Sequence, residues 1–343
     1  MDPVTHMLTG ACVSRAGLNR KTGLATLTMI LAMEAPDLDS FWYFAGSVRG
    51  LQHHRGITHS LLGAPFVAAL VTAGVYVIYG WMKRGGREPK LPPKWKVLYL
   101  CALGGALLHL LQDFTNNYGV RPFAPFSEKW YSWDIVFIID PIMLAALFLG
   151  LVAPALFALV TEEIGSRKQQ FRGRGGAIFA LTVVALVIVV RDFEHRRAVS
   201  ALKARTYRDE DPLRASAFPQ PINPFSWNGV VETRDFFLLL PVDSDSGEVD
   251  PENLAELRVK PEETPVTLAA KKSYLGQIYL DWAGYPLVTT ERLEDSRYQV
   301  RFEDLRFESM QGIIRSRTPP LAGYAIVDSN LKVDKMSVGR PPE

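Results

Sequence analysis

The residues best placed to do chemistry in this chain are histidines and aspartates, and they gather early. Five of the six histidines fall in the first third of the 343 residues. His6 opens an apolar stretch in Thr-His-Met-Leu-Thr-Gly, and Asp37 and Asp39 follow in Ala-Pro-Asp-Leu-Asp. His53, His54 and His59 lie in His-His-Arg-Gly-Ile-Thr-His-Ser. His109 and Asp113 share His-Leu-Leu-Gln-Asp, and Asp134 and Asp140 come after them. Mixed imidazole and carboxylate donors suit zinc, manganese or iron(II) rather than calcium. Positions i and i+4 of a helix share a face, so His109 and Asp113 can bind one ion together. In an extended Pro-Asp-Leu-Asp the carboxylates of Asp37 and Asp39 point the same way, with the chain direction fixed by Pro36. A turn at Gly56 would let His54 and His59 both face inward.

The candidate ligand set is therefore His6, Asp37, Asp39, His54, His59, His109 and Asp113. It would hold a divalent metal, Zn2+ first, with Mn2+ or Fe2+ as alternatives. Such an ion lowers the pKa of bound water and polarises a phosphoryl or acyl oxygen. Asp39 or Asp113, where not consumed as a ligand, is the candidate general base. Arg55 either neutralises developing anionic charge or makes an ordinary structural ion pair. His53 is read as solvated or as supporting a ligand, and His195, in Asp-Phe-Glu-His-Arg-Arg, as part of a charged juxtamembrane helix. Asp140, just before Pro141, either orients a ligand histidine or caps a helix. The two cysteines, Cys12 and Cys101, are too few for a thiolate zinc site and read as small buried hydrophobes.

The elements that must position these residues are largely apolar helices. Long apolar runs fill the chain to about residue 190 and are absent after it. Residues 60–81 carry no charge and are long enough to cross a bilayer, which takes about 20 residues. Residues 95–111, 135–160 and 175–190 are the other candidate spans, while the apolar helices at 5–14 and 22–33 are too short to cross alone. The loop at 82–96 carries Lys83, Arg84, Arg87, Lys90, Lys94 and Lys96 against Glu88 alone. The loop at 162–174 carries Arg167, Lys168, Arg172 and Arg174, and the first turn carries Arg15, Arg20 and Lys21. Positive charge stays on the cytoplasmic side. Threading the chain accordingly puts residues 1–6, 34–59, 109–134 and everything after about 191 outside, together with every motif above. No basic segment followed by an apolar one opens the chain, so no cleavable signal peptide is expected. A net charge of +2 gives no reason to expect nucleic acid as a partner.

At this point the residues resemble a family. His6, Pro36-Asp37-x-Asp39, His54-Arg-Gly-x-Thr-His59-Ser and His109-xxx-Asp113 are followed by Tyr118-Gly119 and Pro125-Phe126-Ser127. This order resembles the bacterial membrane-bound metal-dependent hydrolases, also described as YdjM-like, LexA-binding, inner-membrane-associated hydrolases. The likeness covers about residues 1–150. It implies metal-dependent hydrolysis in the bacterial inner membrane. The helical His/Asp arrangement is also similar, more distantly, to zinc-dependent phospholipase C, which implies a phosphodiester in a lipid head group.

After residue 191 the pattern changes to a charged connector and then to strands, expected at 227–233, 236–241, 274–282, 299–307 and 324–333. The expected fold is an α-helical membrane bundle of four clear spans plus two short N-terminal helices, followed by a small, mainly-β extracytoplasmic domain. The divisions are 1–190, a connector at 191–215, and 216–343. Trp227, Tyr279, Trp282 and Tyr285 read as core of the last part, which would cover the metal site and select the substrate. The expected activity is hydrolysis of a phosphodiester or ester in a lipid or lipid-linked substrate, by a multi-pass protein of the bilayer. The rival is a non-catalytic membrane protein with a structural metal site and a partner-binding β-domain. A transporter is disfavoured, because no matching ionisable groups line the other half of the spans.

Overall fold

Asp2 and Pro3 start the first helix: the Asp2 side chain accepts from the Thr5 amide, and proline in the first turn gives up no needed hydrogen bond. The computed structural model describes residues 1–163, 173–308 and 321–342. Arg167, Lys168 and Arg172 of the second basic loop lie outside the described residues. The chain divides into two compact units. The first holds Met1–Leu38, Arg55–Phe193 and Gln220–Pro224, and the second holds Asp39–His54, Glu194–Pro219 and Phe225–Glu343.

The first unit is helical. It contains α1 (Pro3–Ala16) and α2 (Ala25–Glu34), whereas α3 (Ser47–His53) belongs to the second unit. Then come α4 (Gly63–Arg84), α5 (Trp95–Phe114), α6 (Pro141–Glu163) and α7 (Arg174–Lys203), the last contributing to both units. Among the described residues α4, α5 and α7 are each long and apolar enough to cross a membrane. The 22 residues of α4 rise about 33 Å, enough for the hydrocarbon core. Its inward face packs Ala64, Val67, Ala68, Val71 and Val75 against Ala32 of α2 and Leu98, Ala102 and Ala106 of α5. The outward face exposes Phe66, Leu70 and Trp81, which suits lipid and would be costly in water. A fourth span was expected at 135–160. There the structure has the 23-residue helix Pro141–Glu163, apolar over its described stretch Pro141–Pro154.

Two glycines set the helix spacing. A Cβ on Gly10 of α1 would stand 2.8 Å from the Met29 carbonyl oxygen, and one on Gly105 of α5 would stand 2.7 Å from the Ala32 Cβ. Both α1 and α5 therefore lie close against α2, as small residues allow. Gly10 is one helical turn from His6, and Gly105 one turn from His109, so the same close faces carry both imidazoles inward.

The second unit is mainly β. One sheet runs β1 (Arg214–Pro219), β2 (Ser226–Glu232), β3 (Phe236–Asp243), β4 (Glu248–Val249), with β5 (Glu256–Val259) also on β3. After α8 (Pro265–Lys272) and α9 (Tyr274–Trp282), a second sheet runs β6 (Pro286–Arg292), β7 (Tyr298–Asp304), β8 (Gly323–Val327), β9 (Val333–Val338). Every pairing of these strands is antiparallel. The strand expected at 274–282 is the helix α9. Ser273 caps it by accepting from the Gly276 amide, and Leu275, Tyr279 and Trp282 are buried at spacings of four and three, a helical period. The strand expected at 324–333 is two strands, split where the Asp328 side chain accepts from the Asn330 and Lys332 amides. Trp227, Tyr279, Trp282 and Tyr285 are buried core, as expected. The Asp39–His54 segment joins this unit through α3: Ser47 Oγ accepts from the Val338 amide at 2.9 Å, and Tyr274 donates to Gln52.

Candidate metal centre

Four side chains converge inside the helical unit. Asp37 comes from the 3-10 segment Ala35–Ala45, His59 from the 3-10 turn Ile57–His59, and His109 and Asp113 from the last turns of α5. One ligand atom from each lies within 4.8 Å of all the others. The Nε2 atoms of His59 and His109 are 3.0 Å apart. Asp37 Oδ1 is 3.2 Å from His59 Nε2 and 3.6 Å from His109 Nε2, while Asp113 Oδ2 is 3.4 Å from both nitrogens.

The arrangement favours a cation. His109 Nδ1 lies 2.6 Å from the Met33 carbonyl oxygen, which can only accept. The ring proton is therefore on Nδ1, and the Nε2 lone pair faces the cluster, as metal-binding histidines are commonly held. Thr58 Oγ1, 3.1 Å from His59 Nδ1, can donate or accept and so serves either tautomer of that ring. Asp113 Oδ2 is buried and accepts no hydrogen bond, an expensive state for a carboxylate oxygen without a positive partner. The residues present thus fit a metal ion. Asp37 is the open member: its side chain is 21% exposed, against 0% for His59, His109 and Asp113. Burial would raise the Asp37 carboxyl, but the His59 hydrogen bond, the adjacent imidazoles and Arg55 outweigh it and hold it well below the usual range.

Surrounding residues lock this group in place. His6 stacks on His109 with ring centres 3.9 Å apart and bonds Gln112 through Nδ1 at 3.0 Å. Its Nε2 is 3.3 Å from Asp113 Oδ1, beside the cluster rather than within it. Asp113 Oδ1 also takes Arg55 Nη2 at 2.9 Å and the α-amino group of Met1. Arg55 is buried, bonds Asn116 Oδ1 and the Gly119 carbonyl, and lies over the Tyr118 ring. The sharp turn in the His-Arg-Gly string falls on Arg55 (φ +53°), not on Gly56 (φ −84°) as expected. A left-handed non-glycine residue costs about 1 kcal/mol, and the bonds of the guanidinium offset it.

The sequence of this chain resembles those of known proteins. A sequence model of the YdjM inner membrane protein family matches residues 1–198, more than half of the chain and all four converging side chains. The chain belongs to the YdjM inner membrane protein family. It is also similar to the "Uncharacterized protein YfhP" of Bacillus subtilis (strain 168), 24% identical over 321 residues, covering 90% of this chain and 88% of that one. The likeness to YfhP therefore runs past the YdjM region into the β-rich unit. No solved structure matches.

Asp39 and His54 belong to the second unit, where Asp39 Oδ1 and His54 Nδ1 are 2.8 Å apart. His53 stacks on Trp42, and His195 packs on Trp227. Asp140 caps α6 through the Ile142 and Met143 amides and pairs with Arg191 at 2.9 Å, so the capping alternative holds. The carbonyl of Met33, Gln112 and Glu34 escaped the sequence reading. The glycines one turn from His6 and His109 were the available signal for the close helix faces.

Proposed function

We propose that this YdjM-family membrane protein is a metal-dependent hydrolase whose ion is held by Asp37, His59, His109 and Asp113. The observation that carries the reading is the lone pair of His109 Nε2, fixed by the Met33 carbonyl, facing an orphaned carboxylate oxygen of Asp113. A bound Zn2+, Mn2+ or Fe2+ would supply Lewis acidity and a more acidic water at neutral pH. The chain's own residues do the rest. Arg55 and His6 hold Asp113, Gln112 holds His6, and the partly exposed Asp37 marks the side from which a substrate oxygen can approach. Arg55 is committed to Asp113, Asn116 and Gly119, which favours positioning over contact with substrate.

The cluster lies on the last turns of a candidate span, which favours a phosphodiester or ester in a lipid or lipid-linked substrate. The basic 82–96 loop favours an extracytoplasmic site, at the opposite end of α5. His59→Ala and Asp113→Ala are each expected to lose bound metal and phosphodiester hydrolysis together. Full activity in either variant removes that residue from the site.

One observation favours the rival reading. Two imidazoles and two carboxylates would supply four protein ligands, the number that a closed structural zinc site uses. Tightly held, non-exchanging metal without turnover on any ester would establish that reading instead.

A further inference from the structure

Glu34 is the last residue of α2, one residue after the carbonyl that orients His109 and three before Asp37. Its Oε1 is buried and accepts no hydrogen bond, while the Met7 amide, next to His6 on α1, faces the same carboxyl. The close approach of α1 to α2 at Gly10 fixes this placement. Resting on the hydrolytic reading above, we propose that Glu34 is the proton-transfer carboxyl of this site. It takes a proton from the attacking water as the new bond to phosphorus or acyl carbon forms. It returns that proton to the leaving oxygen as the old bond breaks, so the carboxylate is regenerated in each cycle.

The surroundings suit the role. Burial pushes the Glu34 carboxyl up to about 7, helped by the carboxylates of Asp37 and Asp2, against the opposing pull of the Met7 amide and the Met1 amino group. A carboxyl that changes protonation near neutrality can both accept and donate at working pH. The carboxylates nearby have other duties: Asp37 belongs to the cluster, and Asp2 caps α1.

The test uses the full chain in lipid nanodiscs, loaded with Zn2+ or Mn2+, with bis(p-nitrophenyl) phosphate as the probe. Wild type, Glu34→Gln and Glu34→Asp are compared for bound metal, turnover, pH profile and, without metal, the infrared band of protonated carboxyls. Glu34→Gln is expected to keep its metal and fold, to lose about 100-fold in kcat, and to flatten the acidic limb of the kcat/KM profile. A protonated-carboxyl band titrating at about 7 is expected in wild type and is expected to be missing from this variant. Glu34→Asp keeps a weakened acidic limb. Wild-type turnover in Glu34→Gln, or loss of metal from it, overturns the assignment. A metal-loaded wild type that hydrolyses no ester overturns the hydrolytic reading itself, and the role of Glu34 with it.

Discussion

Each unit of the molecule buries a carboxylate, and the two are treated in opposite ways. In the β-rich unit, Asp304 accepts from the amides of Gly284, Tyr285 and Arg306 and from Arg306 Nε. Both of its oxygens are engaged, its partner Arg306 also bonds the Trp282 carbonyl, and the group locks the start of β6 to the end of β7. In the helical unit, Asp113 engages Oδ1 but leaves Oδ2 bare among imidazoles. Full satisfaction marks a group that holds structure. An orphaned oxygen beside two imidazole nitrogens marks a place kept for something else.

That contrast can be broken by mutation. The largest effect on stability is expected from Asp304→Ala. Removing it leaves Arg306 buried without its charge partner, which costs about 3–5 kcal/mol. The denaturation midpoint of the β-rich unit should fall while bound metal is unchanged, and loss of metal would erase the distinction between the two carboxylates. Gly10→Val comes next. Its added carbons meet the Met29 carbonyl and the Met33 side chain, and overpacking of this kind costs about 1–3 kcal/mol. Because Met33 also orients His109, this variant should weaken metal affinity as well as stability. Unchanged affinity would show that the α1–α2 spacing does not tune the site. The smallest effect is expected from Ser47→Ala, which removes one hydrogen bond to the Val338 amide, worth about 1 kcal/mol or less. A larger loss would mean that the Asp39–His54 segment depends on the β-rich unit more than this bond implies.

Much of the helical unit was legible in the sequence because apolar length is a strong signal. Residues 60–81 read as a candidate span from their length and lack of charge, and α4 takes up all but the first three of them. The i, i+4 spacing of His109 and Asp113 likewise placed both on one helix face. What the sequence hid depends on tertiary contact. Nothing local distinguishes His54 from His59, yet the units divide between them, at Arg55. The left-handed turn also landed on Arg55, because the buried partners of its guanidinium outweigh the freedom of the adjacent glycine. In the second unit, aromatic and β-branched content suggested a strand at 274–282, but Ser273 capping and a three-to-four-residue apolar spacing made α9. Glu34 drew no notice because a glutamate at a helix end is ordinary until its burial is known.

The most direct test of the central claim is the metal content of the detergent-purified full chain, measured by elemental mass spectrometry beside the double variant His59→Ala/Asp113→Ala. The account predicts stoichiometric zinc, manganese or iron in the wild type and none in the variant. A wild type that holds no metal even after reconstitution, or a double variant that keeps it, would contradict a metal centre at Asp37, His59, His109 and Asp113.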